Sequence, residues 1–307
     1  MDFSFLDKIS FIKLEFLLKP INQITLSSFK GSTIRGGFGY SFKKSICTQK
    51  IKECERCLIF ENCLYIKLFE PKIFDIGKRK EIPRPFVIEY PSDKKTIYKE
   101  NEKLKFNLIL FGNSINFFPY FFISFLNLGN EGIGKEREKF IIDEISQIYP
   151  VVKKIFKFTS EKIEIPEIKK VEYKKGNLGK IKLKFITPAK IKHYGKLISI
   201  PEFHMLIKAI LRRTYLILKY WCDFDGKIDF NEIIERSKEI KISKCDLRWY
   251  DYERYSTRQK ERLKHGGIIG EIEYKGEIGD FLPLLEVGSH IHIGKNTSFG
   301  LGHYIIL

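Results

Sequence analysis

The chain has 307 residues, 43% hydrophobic and 14% aromatic, with 55 Lys and Arg against 38 Asp and Glu, a formal charge of +17. That length suits two domains of ordinary size, and the charge points to a polyanionic partner, most often nucleic acid. No apolar run reaches the ~20 residues of a membrane span, and MDFSFLDKIS lacks the basic and apolar regions of a secretory leader, so a cytoplasmic location and six reduced cysteines are expected.

In chain order, Ile12, Leu14, Phe16 and Leu18 alternate with Lys13 and Glu15, which predicts a half-buried strand over Phe11–Leu18. A helix is expected from Ser32 or Thr33 to about Cys47, with Ile34, Phe38, Phe42 and Ile46 as its buried stripe. Arg35, Tyr40, Lys43 and Lys44 lie off that stripe. Gly36, Gly37 and Gly39 each cost such a helix roughly 1 kcal/mol against Ala. They suggest close approach by another element or by RNA, the alternative being a glycine-interrupted turn.

Cys47, Cys54, Cys57 and Cys63 then form the pattern C-x6-C-x2-C-x5-C. Four soft ligands at this spacing suit a tetrahedral, structural zinc ion. The alternatives are unligated thiols in a compact insertion, or an iron–sulfur cluster. Strands are predicted at Phe86–Tyr90 and Leu104–Phe111. An aromatic helix follows over Phe117–Leu128, capped by Asn116, with Pro119 in its first turn and Gly129 at its end. A strand at Phe140–Ile148 completes the order strand, helix, strand, strand, helix, strand. That order is ferredoxin-like, the arrangement RNA-recognition (RRM) modules use.

The stretch Tyr149–Gly179 reads as a charged connection. Beyond it, Lys180–Thr187 is a strand with Lys182 and Lys184 on a basic outer face, broken by Pro188. The helix Glu202–Trp221 has Phe203, Leu206, Ile207, Ile210, Leu211 and Leu218 as its core stripe. Strands Leu247–Tyr255 and Ile268–Tyr274 flank a cationic loop holding Arg254, Arg258 and Arg262, suited to backbone phosphate. Asp280–Glu286 reads as a short helix. Ser289, Ile291 and Ile293 then alternate with His290, His292 and Gly294, which predicts a strand. A loop with Gly294, Gly300 and Gly302, together with Lys295, Asn296, Thr297 and Ser298, precedes the final strand Tyr304–Leu307. Glycines, successive backbone amides and a lysine can build a phosphate-binding concavity; the plain alternative is a hairpin turn with a lysine at its tip. The fold class is therefore α+β, two tandem ferredoxin-like (RRM-like) domains: 1–150 with a Cys-rich insertion at 47–63, and 176–307 with the Gly-rich loop at 294–302.

Five segments carry a resemblance: IRGGFGYSFKKSIC with ECERCLIFENCLYIKLFEP, LKFNLILFGNSINFFPYF with LGNEGIG, FITPAKIKHYGKL, RYSTRQ with GGIIGEI, and HIHIGKNTSFGLGHY. The chain resembles the CRISPR-associated endoribonucleases of the RAMP superfamily that process precursor CRISPR RNA. The resemblance implies two domains facing across a basic cleft that holds the repeat RNA, with the glycine loop at its rim. It implies metal-independent cleavage, in which a ribose 2′-OH attacks the adjoining phosphate to give a 2′,3′-cyclic phosphate and a 5′-OH, with no cofactor in catalysis. The alternative is a non-catalytic RNA-binding subunit of a CRISPR effector complex. The further partners it admits are an effector or spacer-acquisition complex and a second copy of the chain; no DNA and no membrane are expected.

That reaction needs a base, an acid and a cation for the extra phosphate charge. Relatives place a catalytic His, Tyr or Lys in or just after the first helix, yet here no histidine precedes His193. The catalytic candidates are His292, two residues before Gly294, with His290, Tyr40 and Lys43; for His292 the alternative is a cross-strand or surface histidine. The RNA-binding candidates are Arg35, Lys44, Arg254, Arg258, Arg262, Lys295, Asn296, Thr297, Ser298, Gly300 and Gly302.

Overall fold

The computed structural model describes residues 2–49, 53–75, 78–91, 93, 95–160, 162–169, 173, 176, 178–256 and 261–307, with backbone only at 72–75, 78–81, 253–256 and 261–265. The chain forms two compact units, Phe11–Lys169, and Lys170–Leu307 together with Met1–Ser10.

In the first unit, β1 (Phe11–Pro20), α1 (Lys30–Ile46), α2 (Leu64–Phe69), β2 (Phe86–Glu89), β3 (Leu104–Phe111), α3 (Phe118–Glu131), β4 (Phe140–Tyr149) and β5 (Lys153–Lys157) follow one another. The sheet order is β2-β3-β1-β4-β5, antiparallel throughout. Its first four strands are the ferredoxin-like arrangement, and β5, which the sequence pattern does not reveal, extends it beyond β4. Ile12, Leu14, Phe16 and Leu18 are buried as their alternation requires.

The core is aromatic. Phe38 of α1 meets the rings of Phe42, Phe69, Phe86, Phe121 and Phe125, the last at 4.5 Å between centroids. Gly39 explains one of the three helical glycines, because a Cβ there would lie 2.2 Å from the Phe69 ring. Two details differ from expectation. A 3-10 turn over Gly112–Phe117 leads into α3, so Phe117 rather than Asn116 stands at its start. The helix also continues past Gly129 to Glu131 and stops at Gly132, whose φ is +88°.

The second unit contains β6 (Lys180–Ala189), α4 (Phe203–Trp221), α5 (Phe230–Ser237), β7 (Lys241–Ser256), β8 (Glu261–Lys275), α6 (Leu282–Ile291) and β9 (Tyr304–Ile306). Its sheet order is β7-β8-β6-β9, the ferredoxin-like order again. All six named core residues of α4 are buried. The N-terminal segment joins this core, with Phe3 meeting Phe281 at 6.5 Å.

Three expectations are corrected here. Pro188 does not end β6; the pairing with β8 shifts register between Phe185 and Ala189, a bulge where proline is tolerated. The outer face of β6 is not a bare basic surface, since Lys182 and Lys184 both pair with Glu271, Lys184 at 2.9 Å, and Lys180 lies 3.7 Å from Glu273. The strand expected around His290 and His292 is instead the end of α6. Leu284, Val287, Gly288 and Ile291 recur at helical spacing and are all buried, and that apolar face outweighs the two-residue alternation beside it.

Candidate nucleic-acid interface

The chain leaves α6 at Ile291, whose carbonyl accepts a hydrogen bond from Nε of Arg213 at 2.7 Å. Arg213 projects from α4 and is buried, which lowers its pKa. His292 then turns the chain with φ +61°. Its ring is wholly buried, with Nδ1 3.0 Å from the Leu301 carbonyl oxygen. That contact requires the proton on Nδ1. The His303 ring stacks on it at 4.8 Å, 11° from parallel.

Several backbone hydrogen bonds clamp the glycine loop to its own unit. Lys295 N donates to Lys190 O at 3.1 Å, Ile293 N to Gly302 O at 3.0 Å and Gly302 N to Pro188 O at 3.1 Å. The Thr187 hydroxyl donates to Gly300 O at 2.8 Å and accepts from His303 N at 2.9 Å. Gly302 has φ +76°, and a Cβ there would lie 1.8 Å from Ile293 O, so only glycine fits. Gly300 N closes the 3-10 turn onto Thr297 O. The amides of Gly300 and Gly302 are therefore engaged within the protein. Among the described residues, the amides of Asn296, Thr297 and Ser298 donate to no backbone acceptor outside the 3-10 turn, but Thr297 and Ser298 are buried; Lys295 beside them is exposed. The loop is thus less open to an anion than the glycine pattern suggests, with Lys295 as its exposed cation.

The remaining sequence candidates fall in different places. On α1, Tyr40 is 58% exposed. Arg35 is packed with its guanidinium 4.1 Å from the centre of the Phe69 ring, and Lys43 Nζ lies 5.5 Å over Tyr65. Lys44 hydrogen-bonds Glu131, and that bond raises its pKa. His290 is half-buried in the last turn of α6. Arg254 and Arg262 stand on the paired far ends of β7 and β8, opposite Leu263 and Tyr255. Arg258 lies outside the described residues. The sequence pattern does not single out Thr187, Arg213 or His303, whose part in holding the loop depends on contacts distant in sequence.

Cys47, Cys54, Cys57 and Cys63 all line one pocket of about 20 Å³, and all four are half-buried free thiols. That is room for a single small ion or water, and four thiols are the donor set of a structural zinc site. The donor set suits zinc, but the four sulfurs are not gathered within 4.8 Å of one another as a closed tetrahedral site requires.

A family model for an N-terminal domain (AF_1859_N) matches residues 9–170, and the model of the CRISPR-associated endoribonuclease Cas6 matches residues 183–304. The chain belongs to the family with the AF_1859_N N-terminal domain, and its residues 183–304 are Cas6-like. The Cas6 match spans β6 to β9 and takes in the clamped loop, the buried His292 and the stacked His303. An uncharacterized protein of Archaeoglobus fulgidus is 26% identical over 292 residues, covering 92% of this chain and 93% of that protein. A Cas6 product complex superposes with TM-score 0.58 at 13% identity, covering 97% of this chain and 99% of the other. Thermus thermophilus Cas6 gives TM-score 0.55 at 13% identity, with the same coverage of 97% and 99%. A partial Cas6-RT-Cas1–Cas2 complex gives TM-score 0.58 at 14% identity, covering 97% of this chain and 46% of that one. At these identities the likenesses bear on the fold, which is the tandem ferredoxin-like fold of Cas6 proteins. Among the described residues no helix is long and apolar enough to cross a membrane.

Proposed function

We propose that the chain cuts repeat RNA within a precursor CRISPR transcript by attack of a ribose 2′-OH on the adjoining phosphate, leaving a 2′,3′-cyclic phosphate and a 5′-OH without a catalytic metal. The observation that carries this reading is the Cas6 match over 183–304 together with the exposed Lys295 on the glycine loop it contains. A cation there stabilises the phosphorane-like charge that develops as the 2′-oxygen attacks. Of the catalytic candidates, Tyr40 presents its hydroxyl most openly and can donate to the leaving 5′-oxygen. Lys43, one turn along α1, adds positive charge, and half-buried His290 is a proton acceptor for the 2′-OH. His292, wholly buried with Nδ1 held by Leu301, acts by fixing the loop. The experiment is incubation of purified protein with its repeat RNA in EDTA. One discrete cut with a cyclic phosphate end is expected; intact RNA across several cognate repeats overturns the reading.

A second reading, an RNA-binding subunit without catalysis, is favoured by two observations: α1 has no histidine, and His292 is buried. Tight binding without cleavage in any buffer selects it. The cysteine pocket would hold zinc through Cys47, Cys54, Cys57 and Cys63; four thiolates fill its shell, so the ion would brace the insertion and take no part in chemistry. Docking to a spacer-acquisition complex is suggested by the Cas6-RT-Cas1–Cas2 likeness, and self-association is the further partnership to be measured by sedimentation.

A further inference from the structure

Just past β6 the chain makes a small hairpin in which Lys192 pairs with Leu197 and His193 with Lys196. Tyr194 and Gly195 form its two-residue turn, with φ +46° and +81°. Positive φ at both positions is the type I′ geometry, which ordinarily takes Asn-Gly or Asp-Gly. A tyrosine there is strained by its Cβ, and no packing explains it, because the residue is 85% exposed. The ring is nevertheless held in place. Lys208 Nζ of α4 lies 4.9 Å from its centre, and the His193 ring meets it edge-on at 4.3 Å. Between Ala189 and Pro201 the chain carries Lys190, Lys192, Lys196 and His193 and no acid.

The hairpin is joined directly to the glycine loop. Lys190 O accepts the Lys295 amide at 3.1 Å, and a Cβ on Gly294 would lie 2.6 Å from that same oxygen. From Lys190 to Tyr194 is about 13 Å of extended chain. We propose that Tyr194 is a stacking platform for one unpaired base of the RNA, on a strand whose neighbouring phosphates run along Lys190, Lys192 and Lys196 toward the loop at Lys295. An exposed ring backed by a cation, beside lysines, is what single-stranded RNA recognition uses, and it reads every base because each has a π-face. This rests on the RNA-processing reading above and adds a subsite to it.

The test measures binding of a fluorescein-labelled single-stranded oligouridylate of about 12 nucleotides, within the range of ordinary single-strand sites, and of its duplex with oligoadenylate. Wild type, Tyr194→Ala, Tyr194→Trp and Tyr194→Asn are compared. Tyr194→Ala and Tyr194→Asn are expected to bind the single strand about tenfold more weakly and the duplex unchanged, with Tyr194→Trp close to wild type. Tyr194→Asn, whose residue favours positive φ, is expected to melt no lower than wild type, so its loss cannot be blamed on folding. Equal affinity of all four proteins for the single strand, or an equal loss on both nucleic acids, overturns the platform while leaving the RNA reading intact. Failure of wild type to bind either overturns that reading and the platform with it.

Discussion

The imidazole rings of His292 and His303 lie stacked, 4.8 Å apart and 11° from parallel, with His292 Nδ1 held 3.0 Å from Leu301 O. This pair ties the end of α6 to the far side of the glycine loop. The first histidine is wholly buried, so its expected effect is on the loop's shape. His292→Ala is therefore expected to lower stability by about 2–4 kcal/mol, the range for emptying a buried, hydrogen-bonded site. Chemical denaturation reads it. A variant that unfolds like the parent yet no longer cleaves RNA would assign His292 to the chemistry instead.

The glycines of α1 separate packing from contact with RNA. Gly39→Ala would place a methyl 2.2 Å from Phe69 and should cost about 1–3 kcal/mol, since a packed aromatic ring must move. Gly36 has nothing within 4 Å of an added Cβ, so Gly36→Ala should gain about 0.5–1 kcal/mol. If the Gly36→Ala protein is more stable but processes RNA more slowly, the open face around Tyr40 approaches the RNA. If activity is unchanged, Tyr40 is the wrong candidate.

An ion pair in the first unit gives a pH dependence. Lys30 is buried, and its Nζ hydrogen-bonds Asp93 Oδ1 at 2.7 Å and Asp93 O at 2.6 Å. Burial opposes ionisation of Asp93, but the Lys30 hydrogen bond and charge outweigh it and hold the carboxyl below its ordinary value. A lowered folded-state pKa adds stability that is complete above the unfolded value, about 3.9, and is lost as pH falls below it. Asp93→Asn should thus destabilise the protein at pH 7 by about 1–2 kcal/mol, discounted because Asp93 is half exposed. Melting curves of wild type and variant should converge in acid; parallel curves at every pH contradict the pair's role.

Much of the fold is legible in the sequence because both sheets announce themselves by alternation. Ile12 to Leu18 and Ile181 to Phe185 bury alternate residues, and α4 buries its whole predicted stripe. The region around His290 reads as a strand from the alternation of Ser289, Ile291 and Ile293, whereas the helical spacing of Leu284, Val287 and Ile291 is the pattern the structure follows. The longer pattern wins because it buries more apolar surface. The role of Lys182 and Lys184 was not legible: a lysine's charge reads alone, whereas Glu271 lies across a strand pairing that only the register reveals. The same holds for Thr187 and Arg213, polar residues in apolar elements whose partners are distant in sequence. In the glycine loop the pattern identifies a turn that needs positive φ, but not which amides the protein itself takes.

The cysteine pocket makes a measurable claim about metal. Purified protein is expected to contain about one zinc per chain. Cys57→Ser should reduce that content and lower the melting temperature, as should prolonged chelation of the wild type. RNA cleavage, assayed before the chelated protein unfolds, should persist in EDTA. A metal-free protein that melts identically with and without added zinc contradicts the site.

The central claim is that the RNA's own 2′-hydroxyl is the nucleophile. It is tested most directly by single-turnover cleavage of repeat RNAs carrying one 2′-deoxy substitution at each successive position, in EDTA. The account predicts that substitution at one position, the nucleotide 5′ to the cut, abolishes cleavage while binding persists, and that every other substitution is cleaved. Cleavage of the RNA deoxy-substituted at that nucleotide, with a non-cyclic phosphate end, would contradict it.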